Sequence, residues 1–331
     1  MMVRSLIFIM CVVLLGCSTA EKKIIVCWGD SLTMQHKDYG IRGNIKKWLS
    51  GNFIDDSYPG FLEEMLGEEY KIINCGVGGE NSLTIAARQG SIPMFLNEEV
   101  VFESGVDEVS IENDNLRSTW DSTVVAPLHQ SRWKEGSPAR INPCYVDDKE
   151  MFLICQRVEC EDSTIFRYSL KRTTKLQDRH VVKKGSLLLT EASKNLRNQY
   201  LNIFFVGQNG GFRNTSEYIS QLKCMIEYGK TKQYIVVSFH KPNNSMKGIR
   251  EMKAMEDSLA LTFGNHYINL RDYMVTKGLK DASLNATAED MDSIKQGTVP
   301  PQLMTDGTHF NVYGCKLIAG LIADKMRGLG Y

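Results

Sequence analysis

Residues 24–32 read IIVCWGDSL. The first five residues are an unbroken apolar run, and a glycine, an aspartate, a serine and a leucine follow. A short apolar run rich in β-branched residues is typical of a strand buried on both faces of a parallel sheet. The glycine permits unusual backbone angles and the close approach of a substrate. Ser31 is therefore expected just past the carboxyl end of a central strand, where open α/β sheets bind their ligands.

Four further apolar runs follow along the chain, and helical patterns lie between and after them. The five predicted strands are 24–28, 71–75, 201–206, 234–239 and 267–270, and the predicted helices are 59–69, 83–89, 216–228, 247–261 and 312–327. Such alternation predicts an α/β fold with a parallel five-stranded sheet covered by helices on both faces.

A long segment between the second and third strands interrupts this alternation. It contains strand-like stretches without long helices, at 106–111, 151–158, 164–170 and 186–190. Because it is too long for a loop in a compact domain, we predict an inserted β-rich domain at residues 96–195. The remaining α/β domain then comprises residues 17–95 and 196–331. Substrate contact, dimerisation and simple scaffolding are all open as roles for the insert.

A second, smaller insertion, residues 35–56, directly follows the first strand motif. Two of its aromatic residues, Trp48 and Phe53, could border a pocket. A scaffolding role without substrate contact is the alternative.

The N-terminus has the pattern of a bacterial export signal. Arg4 precedes an apolar stretch, residues 6–15, that is too short to cross a bilayer. Leu14-Leu15-Gly16-Cys17 resembles a lipobox, which implies that residues 1–16 are removed and that Cys17 is lipidated. A plain secretory signal cut near Ala20 is the alternative. Both predict export, and the first predicts a membrane-anchored lipoprotein facing the periplasm or the cell surface.

Charge and cysteine spacing exclude several classes of function. Lys+Arg and Asp+Glu each total 39, so no broad attraction to nucleic acid is expected. Of nine cysteines, seven lie beyond the signal, and they show no CxxC pair and no histidine at metal-ligand spacing. We therefore expect no nucleic-acid partner and no metal site.

Two glycine-rich turns follow the second and third predicted strands. Residues 76–81, GVGGEN, offer backbone N–H groups at a helix N-terminus, which suit a developing negative charge. A dinucleotide fingerprint would require glycine where Asn81 stands. Residues 206–211, VGQNGG, deliver Asn209 to the same sheet edge, although an Asn–Gly pair alone is most often a turn.

The last motif is Asp306-Gly307-Thr308-His309, just before the final helix. The spacing lets one tight turn bring the carboxylate to one imidazole nitrogen while the other faces Ser31. A serine hydroxyl needs such a base, and the base needs an acceptor that fixes its tautomer. The other five histidines, 36, 129, 180, 240 and 266, lack such a partner and are expected on the surface or in packing positions.

Taken in order, these four motifs resemble the blocks of the SGNH hydrolase superfamily, in particular GDSL-type serine esterases. The resemblance implies a flavodoxin-like three-layer α/β/α fold. It implies Ser31 as nucleophile, His309 as base and Asp306 as its partner. An oxyanion hole would be formed by the backbone N–H groups of Ser31 and Gly79 and the side chain of Asn209. The third block, usually GxND, departs from the pattern because Gly210 replaces the aspartate.

The resemblance implies hydrolysis of carboxylic esters through an acyl-enzyme, without a metal or organic cofactor. We expect deacylation, chiefly deacetylation, of a glycan or glycoside, because the protein is predicted to be exported, tethered and equipped with an added β-rich domain. Arylesterase or lipase activity of broad specificity is the nearest alternative, and acyl transfer to a second alcohol would use the same residues. A glycan-binding lipoprotein that has lost turnover is the alternative from a different class.

Overall fold

The computed structural model describes residues 21–34, 56–126, 139–160, 163–173 and 178–331. Several predictions fall outside these ranges: the signal at residues 1–16, the lipidation site Cys17, Trp48 and Phe53 with nearly all of the smaller insertion, and His36 and His129.

The described part of the chain alternates strands and helices at both ends and is rich in strands between them. The strands are β1 (Lys23–Gly29), β2 (Tyr70–Gly76), β3 (Met94–Leu96), β4 (Val100–Phe102), β5 (Glu108–Ile111), β6 (Leu116–Ser118), β7 (Cys144–Val146), β8 (Lys149–Cys160), β9 (Ser163–Arg172), β10 (His180–Val182), β11 (Leu187–Leu189), β12 (Leu201–Phe205), β13 (Tyr234–Val237) and β14 (Tyr267–Ile268). The α-helices are α1 (Ser31–Met34), α2 (Tyr58–Leu66), α3 (Ser82–Gln89), α4 (Glu191–Asn195), α5 (Thr215–Gly229), α6 (Ile249–Phe263), α7 (Leu270–Tyr273), α8 (Leu279–Asp281), α9 (Ala288–Gln296) and α10 (Val312–Leu329).

Five parallel strands form the central sheet in the order β14-β13-β12-β1-β2. The mixed α/β class and the five-stranded parallel sheet are thus as predicted. Gly29, the last residue of β1, lies in register with Phe205 of β12 and Gly76 of β2. The carboxyl ends of these three strands therefore meet at one edge, where the predicted motifs come together.

Apolar burial explains why these runs form the centre of the molecule. All of β12 is buried, and the Ile25–Trp28 stretch of β1 is at most 1% exposed. The one polar atom of the Trp28 side chain donates a 3.0 Å hydrogen bond from Nε1 to Asn202 Oδ1 on β12. Burying these groups is favourable because the apolar area leaves water and the polar atom keeps a partner.

Side-chain caps fix where the flanking helices begin. Asn81, Asn214 and Asn311 precede α3, α5 and α10, and each side-chain oxygen accepts a backbone N–H of the first turn. Helix α10 packs against α2, while α5 packs against both α3 and α6. Each of the three capped helices thus starts within four residues of the end of a predicted motif, at residues 76–81, 206–211 and 306–309.

The segment between β2 and β12 builds a second, seven-stranded sheet with the order β5-β9-β8-β7-β11-β3-β6, in which all pairs are antiparallel. Strands β4 and β10 form a separate antiparallel pair. The seven-stranded sheet and this pair have a buried apolar cluster of their own, and Val77 and Ala87 of the α/β part belong to that cluster. The second sheet therefore shares buried contacts with the turn after β2 and with α3.

Some predicted boundaries are wrong for identifiable reasons. The helix predicted to reach residue 69 ends at Leu66, because Gly67 adopts a positive φ of 74° and caps it. Leu270, predicted at the end of a strand, begins α7 because Asn269 caps that helix. The short strands β3, β4, β6, β7 and β10 have three residues each, too few for a periodic pattern to indicate them.

Within the described ranges, no helix is both long and apolar enough to cross a membrane. In the same ranges, no group of three or more His, Cys, Asp and Glu side chains is arranged to hold a metal ion.

Candidate active site

Ser31 is the first residue of α1 and directly follows β1 and Asp30. The backbone turns sharply here, with the N–H groups of Thr33 and Met34 both donating to Asp30 O, at 3.1 and 2.9 Å. Ser31 is only 8% exposed. The strand-to-helix turn thus presents the hydroxyl at the sheet edge while most of the residue stays buried.

Two glycines permit this turn by leaving space rather than by unusual backbone angles. A Cβ on Gly29 would lie 2.0 Å from Thr33 Oγ1 and 2.6 Å from Phe205 O. A Cβ on Gly76 would lie 2.1 Å from Met34 N. Helix α1 can therefore pack against the ends of β1 and β2 only because the last residue of each strand is a glycine.

The turn at residues 306–309 is held together by its own hydrogen bonds. Asp306 Oδ1 accepts the backbone N–H groups of Thr308 and His309, at 2.6 and 2.8 Å. Thr305 N donates to His309 O at 2.8 Å, and Met304 forms an antiparallel bridge with Phe310. The second carboxylate oxygen, Oδ2, lies 2.9 Å from His309 Nδ1.

The structure brings this turn to Ser31. His309 Nε2 lies 3.0 Å from Ser31 Oγ, although 278 positions separate the two residues. In the neutral tautomer with its proton on Nδ1, the imidazole donates to Asp306 and accepts the serine proton at Nε2. The predicted nucleophile, base and carboxylate thus form one continuous hydrogen-bonded chain.

The charge state of Asp306 suits a partner for a histidine. Partial desolvation by itself favours the protonated acid, but the hydrogen bonds from the His309 ring and from the backbone of His309 and Thr308 outweigh it. Together they lower the pKa of Asp306 to about 2. The carboxylate therefore stays ionised at neutral pH, and its side chain is 55% exposed, which also favours the charged form.

Gly79, predicted as an oxyanion donor, is an exposed residue of the otherwise buried turn between β2 and α3, with a φ of 82°. Two hydrogen bonds shape this turn, from Glu80 N to Val77 O at 3.2 Å and from Val77 N to Gly29 O at 3.1 Å. The second one ties the turn directly to the end of β1. Gly79 is therefore carried by backbone that is fixed relative to Ser31.

Asn209, the third predicted donor, joins all three motifs at the sheet edge. Its Nδ2 donates to Glu80 O at 3.0 Å and to Asp30 Oδ2 at 3.3 Å. Both amide hydrogens therefore already have acceptors in this structure. Donation to a substrate oxyanion requires one of them to change partner, and the longer bond, to Asp30, is the weaker of the two.

The replacement of the usual aspartate by Gly210 is accompanied by close packing of the loop on α3. Gly210 has a φ of 73°, and its carbonyl accepts Ser82 N at 3.0 Å. A Cβ on the next residue, Gly211, would lie 2.8 Å from Asn81 Oδ1 and from Ser82 Oγ. Backbone contacts with the start of α3 thus support the loop that carries Asn209.

Asp30, to which the sequence assigns no role, lies at the centre of the site. Its side chain is fully buried, and Oδ1 accepts Leu32 N at 2.9 Å. Desolvation is the main cause that raises its pKa to about 7, and the nearby charge of Glu80 adds to this. Its place directly before Ser31 in the sequence could have suggested a role, but its burial could not be inferred from the sequence.

A buried ion pair between Glu80 and Arg88 was also missed. Their closest atoms, Glu80 Oε2 and Arg88 Nη2, are 2.9 Å apart, and neither side chain is more than 1% exposed. Arg88 also donates to Cys75 O at 2.8 Å and to Ala139 O at 3.2 Å. Glu80 is thereby fixed, and its carbonyl is an acceptor for Asn209.

A cavity of about 460 Å³ lies beside the turn and shares two of its residues. Its lining includes His240, Lys241, Glu289, Met304, Asp306 and Gly307. His240 is 2% exposed, and desolvation chiefly lowers its pKa to about 3, with help from the nearby charge of Lys241. Of the other predicted non-catalytic histidines that are described, His266 stacks on Tyr234 and His180 lies near Lys149.

Comparison with known proteins finds only distant structural similarity. No family model and no curated protein matches the chain. A carbohydrate acetylesterase family member from Sinorhizobium meliloti is similar in structure, with 12% identity, a TM-score of 0.38, and coverage of 93% of this chain and 100% of that chain. An aryl esterase from M. smegmatis has 13% identity and a TM-score of 0.37 over 93% of this chain and 99% of that chain. With TM-scores this low, the case for an activity rests on the geometry of the site itself.

Proposed function

We propose that this protein is a serine esterase of the SGNH type that hydrolyses carboxylic esters through an acyl-enzyme. One observation carries the proposal: Ser31 Oγ, His309 Nε2, His309 Nδ1 and Asp306 Oδ2 form a chain with contacts of 3.0 and 2.9 Å. This arrangement is what an acyl-transferring serine needs, since the base reaches the hydroxyl and the carboxylate fixes the base. The arrangement arises from two motifs at opposite ends of the chain.

The strand order and the packed helices support the fold that goes with this assignment. Numbered along the chain, the five parallel strands have the order 2-1-3-4-5, which is the flavodoxin-like order. Ser31 follows the first of them and Asn209 the third, at the point where the order reverses. We propose a three-layer α/β/α hydrolase domain, interrupted by the antiparallel sheet as an inserted domain.

The mechanism follows from the positions of these side chains. His309 removes the Ser31 proton as Oγ attacks the ester carbonyl, and Asp306 stabilises the resulting imidazolium. His309 then donates that proton to the departing alcohol, leaving Ser31 acylated. Water, deprotonated by His309, attacks the acyl-enzyme. His309 then returns this proton to Ser31 Oγ as the bond to the acyl group breaks, so the carboxylic acid leaves and the free serine is restored.

The tetrahedral intermediates place negative charge on the former carbonyl oxygen. We assign its stabilisation to the backbone N–H groups of Ser31 and Gly79 and to the Asn209 amide. The amide becomes available when its 3.3 Å bond to Asp30 is exchanged for the oxyanion. Loss of this donor should raise the barrier by about 3 kcal/mol.

We further propose a glycan or glycoside ester, chiefly an acetate, as the substrate. The predicted export and tether and the added antiparallel sheet support this. The cavity beside Asp306 does not include Ser31 or His309 in its lining, but it adjoins the turn and combines the polar Glu289 and Thr298 with Val299 and Met304. Sugars present hydroxyl groups and apolar ring faces, so a mixed lining suits them. The proposed lipid anchor at Cys17 would hold the enzyme at a membrane facing the periplasm or the cell surface.

The activity is tested with p-nitrophenyl acetate, butyrate and octanoate, followed by a panel of acetylated sugars. We expect hydrolysis of the short esters, and a loss on the order of 10⁵-fold or more in kcat for Ser31→Ala and for His309→Ala. A serine-reactive fluorophosphonate should label the wild type and not Ser31→Ala. If the wild type cleaves no ester and Ser31 is not labelled, the protein is a binding protein and the catalytic assignment is wrong.

A further inference from the structure

The loop after β13 contacts the Asp306–His309 turn through two consecutive residues. His240 packs its ring against Phe310, with the ring centroids 4.6 Å apart. Lys241 extends its ammonium over the turn, where Nζ donates to Gly307 O at 3.0 Å and to Thr308 Oγ1 at 2.5 Å. One residue thus lies against the base of the turn and the other holds its tip.

The internal bonds of the turn do not by themselves determine its distance from Ser31. The Asp306 carboxylate and the Met304–Phe310 bridge fix the shape of the turn. Both Asp306 and Gly307 are exposed, so little protein surrounds the tip. A turn of fixed shape can still move as a unit, and such a movement would change the 3.0 Å contact between His309 and Ser31.

Lys241 connects the tip to the sheet that carries the serine. Its loop follows β13, which pairs with β12, and β12 pairs with β1 immediately before Ser31. The ammonium is charged and makes two hydrogen bonds to the turn, which are stronger than bonds between neutral groups. Its position therefore restrains the turn relative to the nucleophile.

We propose that Lys241 is a positioning residue for His309, which holds the Asp306–His309 turn so that Nε2 stays within hydrogen-bond distance of Ser31 Oγ. The inference rests on the proposed esterase function. Displacement of a catalytic group by about 1 Å can reduce turnover by about 100-fold. Lys241 also lines the cavity beside Asp306, so the kinetic test uses p-nitrophenyl acetate, an ester without a sugar. In this proposal the residue acts through the turn.

The test compares Lys241→Met with Lys247→Met, an exposed lysine on the same loop, as the matched control. Active sites are counted by fluorophosphonate labelling. We expect Lys241→Met to lower kcat by about 10- to 100-fold with little change in KM, and Lys247→Met to match the wild type. Lys241→Arg restores charged donors and should recover most of kcat. A merely structural role would reduce the number of active sites and not the turnover of each.

A second readout does not depend on ester hydrolysis. In protein labelled with ¹⁵N-histidine, the Nε2 chemical shift of His309 reports the hydrogen bond with Ser31, and Ser31→Ala supplies the reference without that bond. We expect the shift in Lys241→Met to move toward that reference, and Lys241→Gln provides the same measurement if the Met variant does not fold. If the wild type cleaves no ester but the shift moves, the positioning inference stands and the esterase proposal falls. If esters are cleaved and Lys241→Met matches the control in both kcat and chemical shift, the positioning inference is wrong.

Discussion

At the scale of single residues, two buried titratable side chains flank the proposed catalytic chain and have pKa values shifted in opposite directions. Asp30, next to Ser31, has a pKa raised to about 7, and His240, against the turn, has one lowered to about 3. Burial is the main cause in both cases because it favours the neutral form of either group. Stability near the active site should therefore depend on pH in two separable ways.

The contribution of Asp30 should weaken as pH rises. Its folded pKa lies above its ordinary value of 3.8, so its stabilisation is complete below 3.8 and is lost as pH rises through about 7. Asn has no such titration. The unfolding free energy of Asp30→Asn relative to the wild type should thus increase between pH 4 and 8, by at most about 1.4 kcal/mol per pH unit. Urea unfolding at four pH values in this range measures it, and parallel pH curves for the two proteins would contradict it.

The contribution of His240 should have the opposite sign. Its folded pKa lies below its ordinary value of 6.5, so the unfolded chain binds the proton more readily as pH falls from 6.5 toward 3. Neither ring nitrogen has a hydrogen-bond partner among the described residues, so an apolar side chain of similar size loses no such bond. We expect His240→Leu to gain stability relative to the wild type between pH 6.5 and 5, measured by thermal unfolding. A constant difference across this range would rule out the buried neutral histidine.

At the scale of elements, the parts that short-range pattern specifies were predictable. The apolar run at residues 24–28 and the amphipathic pattern at 312–327 became β1 and α10 with small changes at their ends. The DxxH spacing also indicated the turn, because its hydrogen bonds lie within four residues. The functional placement of Asp30 and Lys241 was not predictable, since it depends on residues far away in sequence, such as Asn209 and Thr308.

The strand order of the second sheet was hidden for the same reason. Strand β11 pairs with β3, more than ninety positions earlier, as well as with β7. The longer strand-like stretch at residues 186–190 predicts the strand Leu187–Leu189 but not which strand it joins. Three-residue strands add little pattern of their own, so the sequence indicated a β-rich segment without its topology.

The ends of β1 and β2 should tolerate no side chain at their glycines. In Gly76→Ala, the new Cβ would lie 2.1 Å from Met34 N, a backbone atom that cannot move without displacing α1. We expect a loss of about 3 kcal/mol or more in the free energy of unfolding, since overpacking against backbone has few routes of relief. Denaturant unfolding gives this value directly.

The matched control is Gly320→Ala in the middle of α10. A Cβ at this position would have no described atom within 4 Å outside its own helix turn, and alanine favours helix more than glycine does. This variant should gain about 0.5–1 kcal/mol. Equal effects of the two substitutions would show that space near α1 is not what requires Gly76.

At the scale of the whole molecule, a hydrogen bond joins the loop after β6 to helix α5 of the α/β part. Trp120, in the loop after β6, donates from Nε1 to Glu217 Oε1 on α5 at 2.9 Å. Arg213 binds the same carboxylate at 3.0 Å, but its side chain is 75% exposed. Because α5 follows the loop that carries Asn209, this link connects the antiparallel sheet to the edge of the candidate site.

Of the two interactions of Glu217, the hydrogen bond from Trp120 should contribute more to the free energy of unfolding than the ion pair with the exposed Arg213. Trp120→Phe removes the indole N–H from a carboxylate that is 9% exposed, and we expect a loss of about 1.5–3 kcal/mol. Arg213→Ala removes the exposed ion pair with Glu217 and should lower the free energy of unfolding by less than about 1 kcal/mol. Chemical denaturation of both variants tests the ranking, and a larger effect of Arg213→Ala would reverse the assignment.

Ser31 and His309 are 278 positions apart in the sequence, and this separation affects the stage of folding at which their contact forms. His309 reaches Ser31 only after the parallel strands between them have paired, because the entropy of closing so long a loop is offset only once other non-local contacts have formed. Secondary structure and burial of the central strands can form while the serine still has no base. In refolding from denaturant, the recovery of ester hydrolysis should therefore be slower than the recovery of native tryptophan fluorescence. The time course of hydrolysis then measures the step in which His309 reaches Ser31.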